Sequence, residues 1–238
     1  MTTQPGTTET TTQAAPAVPT GRRFRLPRIT SMTFTASNPE AGGATSLTFR
    51  PARPIKFRAG QHGLLIVPKG GFKPFSIASA PSQELITIGT RLSSGSKFKL
   101  ALAALQPGDR VRFFGPLMNY TTDRTCADVV FLSQGVGITP IRSMLLDLTY
   151  RQAATSTTLV HVATAHPIRT DTEACADDAF YPTHSDTFRT IVADIIKDHQ
   201  PATFMISGAP TFVTTTRTFL RERGIPDQHI KLDSMRGY

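Results

Sequence analysis

Four short stretches of this chain of 238 residues combine residue types at spacings that chemistry can use. Lys73-Pro74-Phe75-Ser76-Ile77-Ala78-Ser79 offers a cation, an aromatic ring and hydroxyls close together. Those groups would hold a phosphorylated, flat heteroaromatic such as a flavin: charge for phosphate, an apolar face for the ring, hydrogen bonds for its heteroatoms. Taken alone, an edge strand with a buried Phe explains the stretch equally well. Arg91, followed by Gly95-Ser96-Lys97-Phe98-Lys99, places Gly and Ser at the start of a helix. Free N–H groups and the positive dipole end suit a phosphate there, although an ordinary N-cap is the plainer reading.

The third stretch is Ser133-Gln134-Gly135-Val136-Gly137-Ile138-Thr139-Pro140. It follows an apolar run and precedes a helical pattern. Gly135 and Gly137 let backbone approach a pyrophosphate, and Pro140 suits the first helical turn. No third glycine completes a GxGxxG, so the strand–turn–helix context carries the argument. The fourth, Ser207-Gly208-Ala209-Pro210, again lies between strand and helix, and its small residues leave room for a ligand ring.

The elements that must position these stretches fall into two groups. From Arg22 to Asp123, short β-branched or apolar segments (Ser46–Arg50, Gly63–Val67, Phe75–Ala78, Leu85–Thr90) are punctuated by Pro and Gly. Phe98, Leu102 and Leu105 recur at helical spacing behind Ser96 as a cap. This reads as an antiparallel β barrel with one helix. After Thr125 strand and helix alternate: Val129–Leu132, a helix from Pro140 to Tyr150, Leu159–Ala163, a helix Phe188–Lys197, Thr203–Ser207, a helix Thr211–Arg223, and Ile230–Leu232. That alternation predicts a doubly wound parallel sheet. The expected division is a disordered Thr/Pro/Ala-rich tail over 1–21, a barrel domain over 22–123 and an α/β domain over 124–238.

Composition narrows the function classes. No apolar stretch reaches the roughly 20 residues that span a bilayer, and the N-terminus lacks the apolar core of a secretory signal, so the expected location is cytoplasmic. Cys126 and Cys175 are too few for a four-thiolate iron–sulfur cluster. His161, His166, His184 and His199 show no ligand spacing, so no metal is expected. The net charge of +9 is scattered and carries no nucleic-acid signature. Its one tight cluster, Arg22, Arg23, Arg25 and Arg28, reads as a solvated strand edge or as a docking face for an acidic partner.

Taken together and in this order, the four stretches resemble the ferredoxin–NADP(+) reductase superfamily. Lys73–Ser79 is similar to its flavin motif Arg-x-Tyr/Phe-Ser-x-x-Ser, and Gly135–Pro140 to its Gly-x-Gly-x-Thr-Pro motif. Ser207–Pro210 resembles Cys-Gly-Pro-Pro, and Asp233-Ser234-Met235-Arg236-Gly237-Tyr238 resembles the closing (Glu/Asp)-x-Phe-x-Gly-Tyr. Ala59-Gly60-Gln61, Gln106-Pro107-Gly108-Asp109 and Gly115-Pro116 look like further landmarks.

The resemblance implies a flavin-dependent reductase. Hydride would pass from NADPH or NADH to bound FAD (FMN being the alternative), and electrons would pass on to a separate acceptor such as a ferredoxin or an oxygenase component. Ser76 and Thr139 would stand beside the reacting rings, Phe75 would pack on the flavin, and Lys73, Pro74, Ile77, Arg91, Gly95 and Ser96 would complete its site. Gly135, Gly137, Thr139, Pro140, Gly208, Ala209 and Pro210 would hold the nicotinamide nucleotide, with Met235 at the place of the terminal aromatic. His166 and Arg169 fall where the family recognises the adenosine ribose and favour NADPH; Asp171 and Glu173 nearby favour NADH. The departures are Lys73 for Arg, Ser207 for Cys, Ala209 for Pro, Met235 for an aromatic and Met118 for Gly. Two other functions fit the same residues: reduction of free flavin or a small acceptor, and a non-catalytic flavin- or nucleotide-binding regulatory module.

Overall fold

A computed structural model describes residues 27–118, 120–123, 126–198 and 202–235. The expected tail, Arg22, Arg23, Arg25, His199 and the closing Arg236-Gly237-Tyr238 lie outside them.

The first body is a six-stranded antiparallel sheet in the order β4-β3-β6-β1-β2-β5. Its strands are β1 (Arg28–Pro39), β2 (Ala44–Pro51), β3 (His62–Val67), β4 (Gly71–Ser76), β5 (Ile86–Arg91) and β6 (Arg110–Leu117). Alternation places Met32, Phe34, Leu47, Phe49, Leu65, Val67, Ile86, Ile88, Val111 and Phe113 in one core. Helix α1 (Lys97–Ala103) closes that core with Phe98 and Leu102. The sheet curls until its edges β4 and β5 meet through the segment that follows β4. Ile77 N–H donates to Gln61 O at 3.0 Å, and Ala78 N–H to Thr87 O at 2.8 Å. The strand expected at Phe75–Ala78 therefore starts earlier and stops at Ser76, because Ile77 and Ala78 bridge from β3 to β5.

The second body is a five-stranded parallel sheet in the order β11-β10-β7-β8-β9. Its elements are β7 (Asp128–Gln134), α2 (Ile138–Tyr150), β8 (Ser156–Val162), α3 (Arg169–Cys175), β9 (Asp178–Phe180), α4 (Ser185–Asp198), β10 (Thr203–Gly208), α5 (Pro210–Arg221) and β11 (Ile230–Ser234). Side chains of β7 feed two cores. Val129 and Phe131 join α2, and Val130 and Leu132 join α4 and α5. The expected barrel and doubly wound sheet are both present; β1, β6, α3 and β9 are additions to the sequence reading. All five strands run parallel, but the order of connection reverses at β7: β8 and β9 are added on one side of it and β10 and β11 on the other, so the turns after β7 and β10 flank a topological switch point.

The two bodies are joined by directed bonds. Arg142 NH1 donates to Ala78 O at 2.7 Å, and Ser143 Oγ to Ser79 O at 2.7 Å. Ile168, at the N-terminus of α3, has φ 60°, a left-handed conformation costly for a β-branched residue. Its N–H donates to Glu40 Oε2 of the barrel at 3.2 Å, while Glu40 Oε1 accepts Ser46 Oγ at 2.7 Å.

Candidate active site at the seam

The C-terminal ends of the parallel strands carry one polar row. Asp233 on β11 is in register with Ser207 on β10, Ser207 with Ser133 on β7, and Ser133 with His161 on β8. Register partners share a face of the sheet, here the α2 face. From the barrel, Ser76 at the end of β4 meets this row. Its Oγ reaches Asp233 Oδ2 at 3.5 Å, and Ser207 Oγ donates to the same oxygen at 3.3 Å. Burial raises the Asp233 pKa above the usual carboxylate value, and the two hydroxyl bonds oppose that shift. Tyr120, on the segment between the two bodies, is buried; its phenol is pushed up by burial and then by the Asp233 charge. Among the described residues, Tyr120 OH and Ser133 Oγ have no hydrogen-bond partner.

The Gly-x-Gly turn uses its two glycines differently. A Cβ on Gly137 would lie 2.4 Å from Ser207 O, so this glycine permits close packing of the turn on β10. Gly135 has φ 55°, and a Cβ there would meet only Arg91 NH2, at 3.7 Å. Gly135 is therefore the glycine with open space, and the Arg91 guanidinium beside it supplies positive charge that suits an anion. Thr139 is buried; its Oγ1 donates to Val136 O at 3.0 Å and its methyl faces Gly89 of β5. Pro140 is buried in the first turn of α2, and Gly208 packs on Phe212 and Gln134, while Ala209 and Pro210 are exposed. Met235 is buried and its N–H donates to Gly208 O at 2.9 Å, tying the last described residue to that turn. Beneath the turn, His161 Nε2 lies 2.9 Å from Gly135 O. Burial, then the His166 charge, push the His161 imidazole down to about 3, so it is neutral.

On the barrel side the expected ligand residues are more enclosed. Phe75 is buried in the barrel core, with Phe98 stacked at 5.8 Å and Lys99 Nζ 5.3 Å from its ring centroid. Ile77 is buried in the same core, while Pro74 is exposed and Lys73 half-buried. Lys99 is buried, its ammonium bonded to Thr90 Oγ1. Burial, then the Lys73 charge, lower it to about 8, so two lysines share this place. Ser96 caps α1, accepting Lys99 N–H at 3.4 Å, and Gly95 before it is exposed with φ 63°. Ser79 is structural: buried, it accepts Thr87 N–H at 3.1 Å and Ser143 through its carbonyl.

The donor set fits a flavin phosphate and a nicotinamide nucleotide. Lys73 and Lys99 supply charge on one side, Gly135 and Arg91 an open cradle on the other, and Ser76, Asp233 and Ser207 a polar node between them. The acids and base near the expected ribose site are paired. Arg169 binds Glu173 at 3.2 Å and covers Tyr181 at 4.5 Å, and Asp171 is held by Arg142 at 2.7 Å. Sequence reasoning named Asp233 and Lys99 only as motif members and did not single out Tyr120, Arg142 or Ser143. No sequence spacing joins Asp233 to Ser76; only the fold does.

This pairing of a curled antiparallel barrel with a five-stranded parallel sheet is the ferredoxin–NADP(+) reductase fold. A crystal structure of a ferredoxin NADP+ reductase from Neisseria gonorrhoeae with bound FAD and NADP shares it, with a TM-score of 0.70 and 19% identity, over 87% of this chain and 98% of that one. In sequence the chain is similar to the reductase component of phenol 2-monooxygenase from Pseudomonas sp. strain CF600, 33% identical over 103 residues. It is also similar to a ferredoxin–NADP reductase B of Sorangium cellulosum strain So ce56, 38% identical over 95 residues. The first match covers 42% of this chain and 29% of that protein. The second covers 37% and 38%. The chain thus spans well under two thirds of the length of these relatives. No protein-family model matches it. Among the described residues, no helix is long and apolar enough to cross a membrane, and no group of His, Cys, Asp and Glu could hold a metal ion.

Proposed function

We propose that the chain is a flavin-dependent NAD(P)H oxidoreductase that passes electrons to a separate acceptor, a ferredoxin or an oxygenase component. The observation that carries this reading is the node at the seam: a barrel hydroxyl, Ser76, and a sheet hydroxyl, Ser207, share the Asp233 carboxylate at the switch point. The sequence relatives, a monooxygenase reductase component and a ferredoxin–NADP reductase, support it. Bound FAD would supply the chemistry of accepting a hydride and releasing single electrons.

The chain's own residues would do the rest. Arg91 and the open backbone at Gly135 would bind the donor's pyrophosphate, and Gly208, Ala209 and Pro210 would border its nicotinamide. Lys73 and Lys99 would neutralise a flavin phosphate, and Gly95 and Ser96 would meet the second phosphate that FAD has and FMN lacks. Asp233 holds a proton more tightly than an ordinary carboxylate and could pass it through Ser76 Oγ. On this reading residues 22–123 form the flavin side and 124–238 the nucleotide side. The free Cys126 and Cys175 suit a reducing cytoplasm.

A visible spectrum of the purified protein reconstituted with FAD, then with FMN, tests the proposal; a chain that retains neither flavin sinks it. Anaerobic bleaching by NADPH or by NADH then identifies the donor, and bleaching by neither points to a binding module. The enclosed Phe75 and the lysine in place of a bidentate arginine favour one second reading, a reductase that releases its flavin. Turnover with free flavin, unaffected by any ferredoxin, would mark that outcome.

A further inference from the structure

The contacts between the two bodies concentrate on one face of α2. Thr139, Arg142 and Ser143 stand at i, i+3 and i+4, so they share that face. Each meets a different barrel atom. The Thr139 methyl faces Gly89 so closely that a Cβ added there would lie 2.5 Å from it. Arg142 NH1 donates to Ala78 O and Ser143 Oγ to Ser79 O, each at 2.7 Å. The bonds differ from incidental surface contacts in their surroundings. Ser143 and Ser79 are both buried, and the Arg142 guanidinium is fixed from behind by Asp171, with Nε at 2.8 Å and NH2 at 2.7 Å. Ala78 and Ser79 are pinned in turn to β5, through Ala78 N–H on Thr87 O and Thr87 N–H on Ser79 Oγ.

The sequence position of these contacts gives them meaning. Ala78 and Ser79 come two and three residues after Ser76, and Arg142 and Ser143 come five and six after Gly137. The bonds therefore join the end of the flavin-side segment to the helix that issues from the nucleotide turn. We propose that Arg142 and Ser143 are positioning residues that hold the nucleotide turn in register with the Ser76–Ser79 segment and so set the approach of the donor ring to the flavin. This rests on the reductase reading above. Hydride transfer depends steeply on ring separation, and a displacement of about 1 Å can cost about 100-fold in rate.

The test uses the full chain with Ser143→Ala, Arg142→Gln and Arg142→Lys. In the flavin-free protein, hydrogen exchange at Ala78 and Thr87, whose amides are bonded within this segment, should quicken at least about tenfold in the first two variants, while amides of β1 and β10 keep their protection. With FAD bound, single-turnover reduction by NADPH or NADH should slow about 10- to 100-fold, with flavin and nucleotide Kd values unchanged within about twofold. Arg142→Lys keeps one donor and should fall between wild type and Arg142→Gln. Unchanged exchange, or a reduction rate equal to wild type, overturns the inference. So does a rate that falls only in step with nucleotide affinity, since the residues would then merely build the pocket. Wild-type protein that binds no flavin overturns the reductase reading and the catalytic half of this one together. The exchange measurement, which needs no cofactor, still judges the clamp by itself. Should Arg142→Gln not fold, Ser143→Ala, which removes one oxygen, decides.

Discussion

The two sides of the seam offer a cofactor different things. On the proposed nucleotide side the binding groups would be backbone: Gly135 stands open beside Arg91 because a parallel strand, a turn and a helix place it there. On the barrel side they would be side chains, and several of them face inward: Phe75 and Ile77 are core residues, and Ser79 is spent on barrel closure. Backbone sites follow from topology, whereas a side-chain site depends on which face of a strand each residue takes. The Gly-x-Gly turn accordingly lies between strand and helix where the sequence places it, whereas Phe75 and Ile77 of the flavin-like stretch face the barrel core.

Substituting the two glycines tests the nucleotide side most severely. Gly137→Ala drives a Cβ into Ser207 O and should cost about 3 kcal/mol in urea unfolding, with nucleotide binding lost as well. Gly135→Ala meets only a flexible guanidinium. It should cost about 1 kcal/mol for its left-handed backbone, while weakening nucleotide binding measurably. Equal stability losses would break the distinction between a packing glycine and a ligand-facing one.

Asp233→Asn probes the node that both sides share. Hydride transfer itself takes no proton from the protein and should be little changed, whereas steady-state turnover should fall about 100-fold if the proton held by Asp233 is drawn on in a later step. The carboxyl's folded pKa is raised by burial, so the stability it contributes is full below the unfolded pKa and is lost as pH rises through the folded one. The variant should therefore melt above wild type at neutral pH. That gain should vanish as pH falls into the ordinary carboxylate range, and a gain that persists in acid would count against the burial account.

His161 sharpens the picture beneath the open turn. Its pKa is lowered from 6.5 to about 3, so its contribution is full above 6.5 and is lost as pH falls toward 3. Linkage gives a slope of up to about 1.4 kcal/mol per pH unit in that window. Melting curves from pH 7.5 down to about 4.5 should converge for wild type and His161→Gln from opposite sides of this slope; parallel curves would show a charged or solvated ring.

The smallest effect is expected on the barrel side. Lys73→Arg restores a forked donor and should tighten flavin binding by about tenfold or less. No change would mean that Lys99 already supplies the needed charge.

Much of the fold was legible because its periods are long or its faces clean. Phe188, Val192, Ile195 and Ile196 mark α4 at helical spacing, and Val129–Leu132 is apolar throughout because β7 feeds a core on each face. β1 was less readable, since polar residues fill its outer face and a bulge between Phe34 and Ala36 breaks its alternation. α3 and β9, at seven and three residues, are too short to show a period. In the site, glycine spacing exposed the turn, but Ser76 and Asp233 are 157 positions apart and meet only through tertiary structure. Met118 stands where the resemblance leads one to expect glycine, and its backbone has φ 60°, a left-handed conformation that glycine adopts without strain.

Ile168 carries one more consequence. Its left-handed backbone is held from the other body, by a carboxylate that is itself anchored to Ser46. The α/β half is thus matched to its barrel through the loop after β8 as well as through α2. Grafted onto a barrel without an equivalent of Glu40, the loop after β8 would lose the hydrogen bond that holds Ile168 in its left-handed conformation.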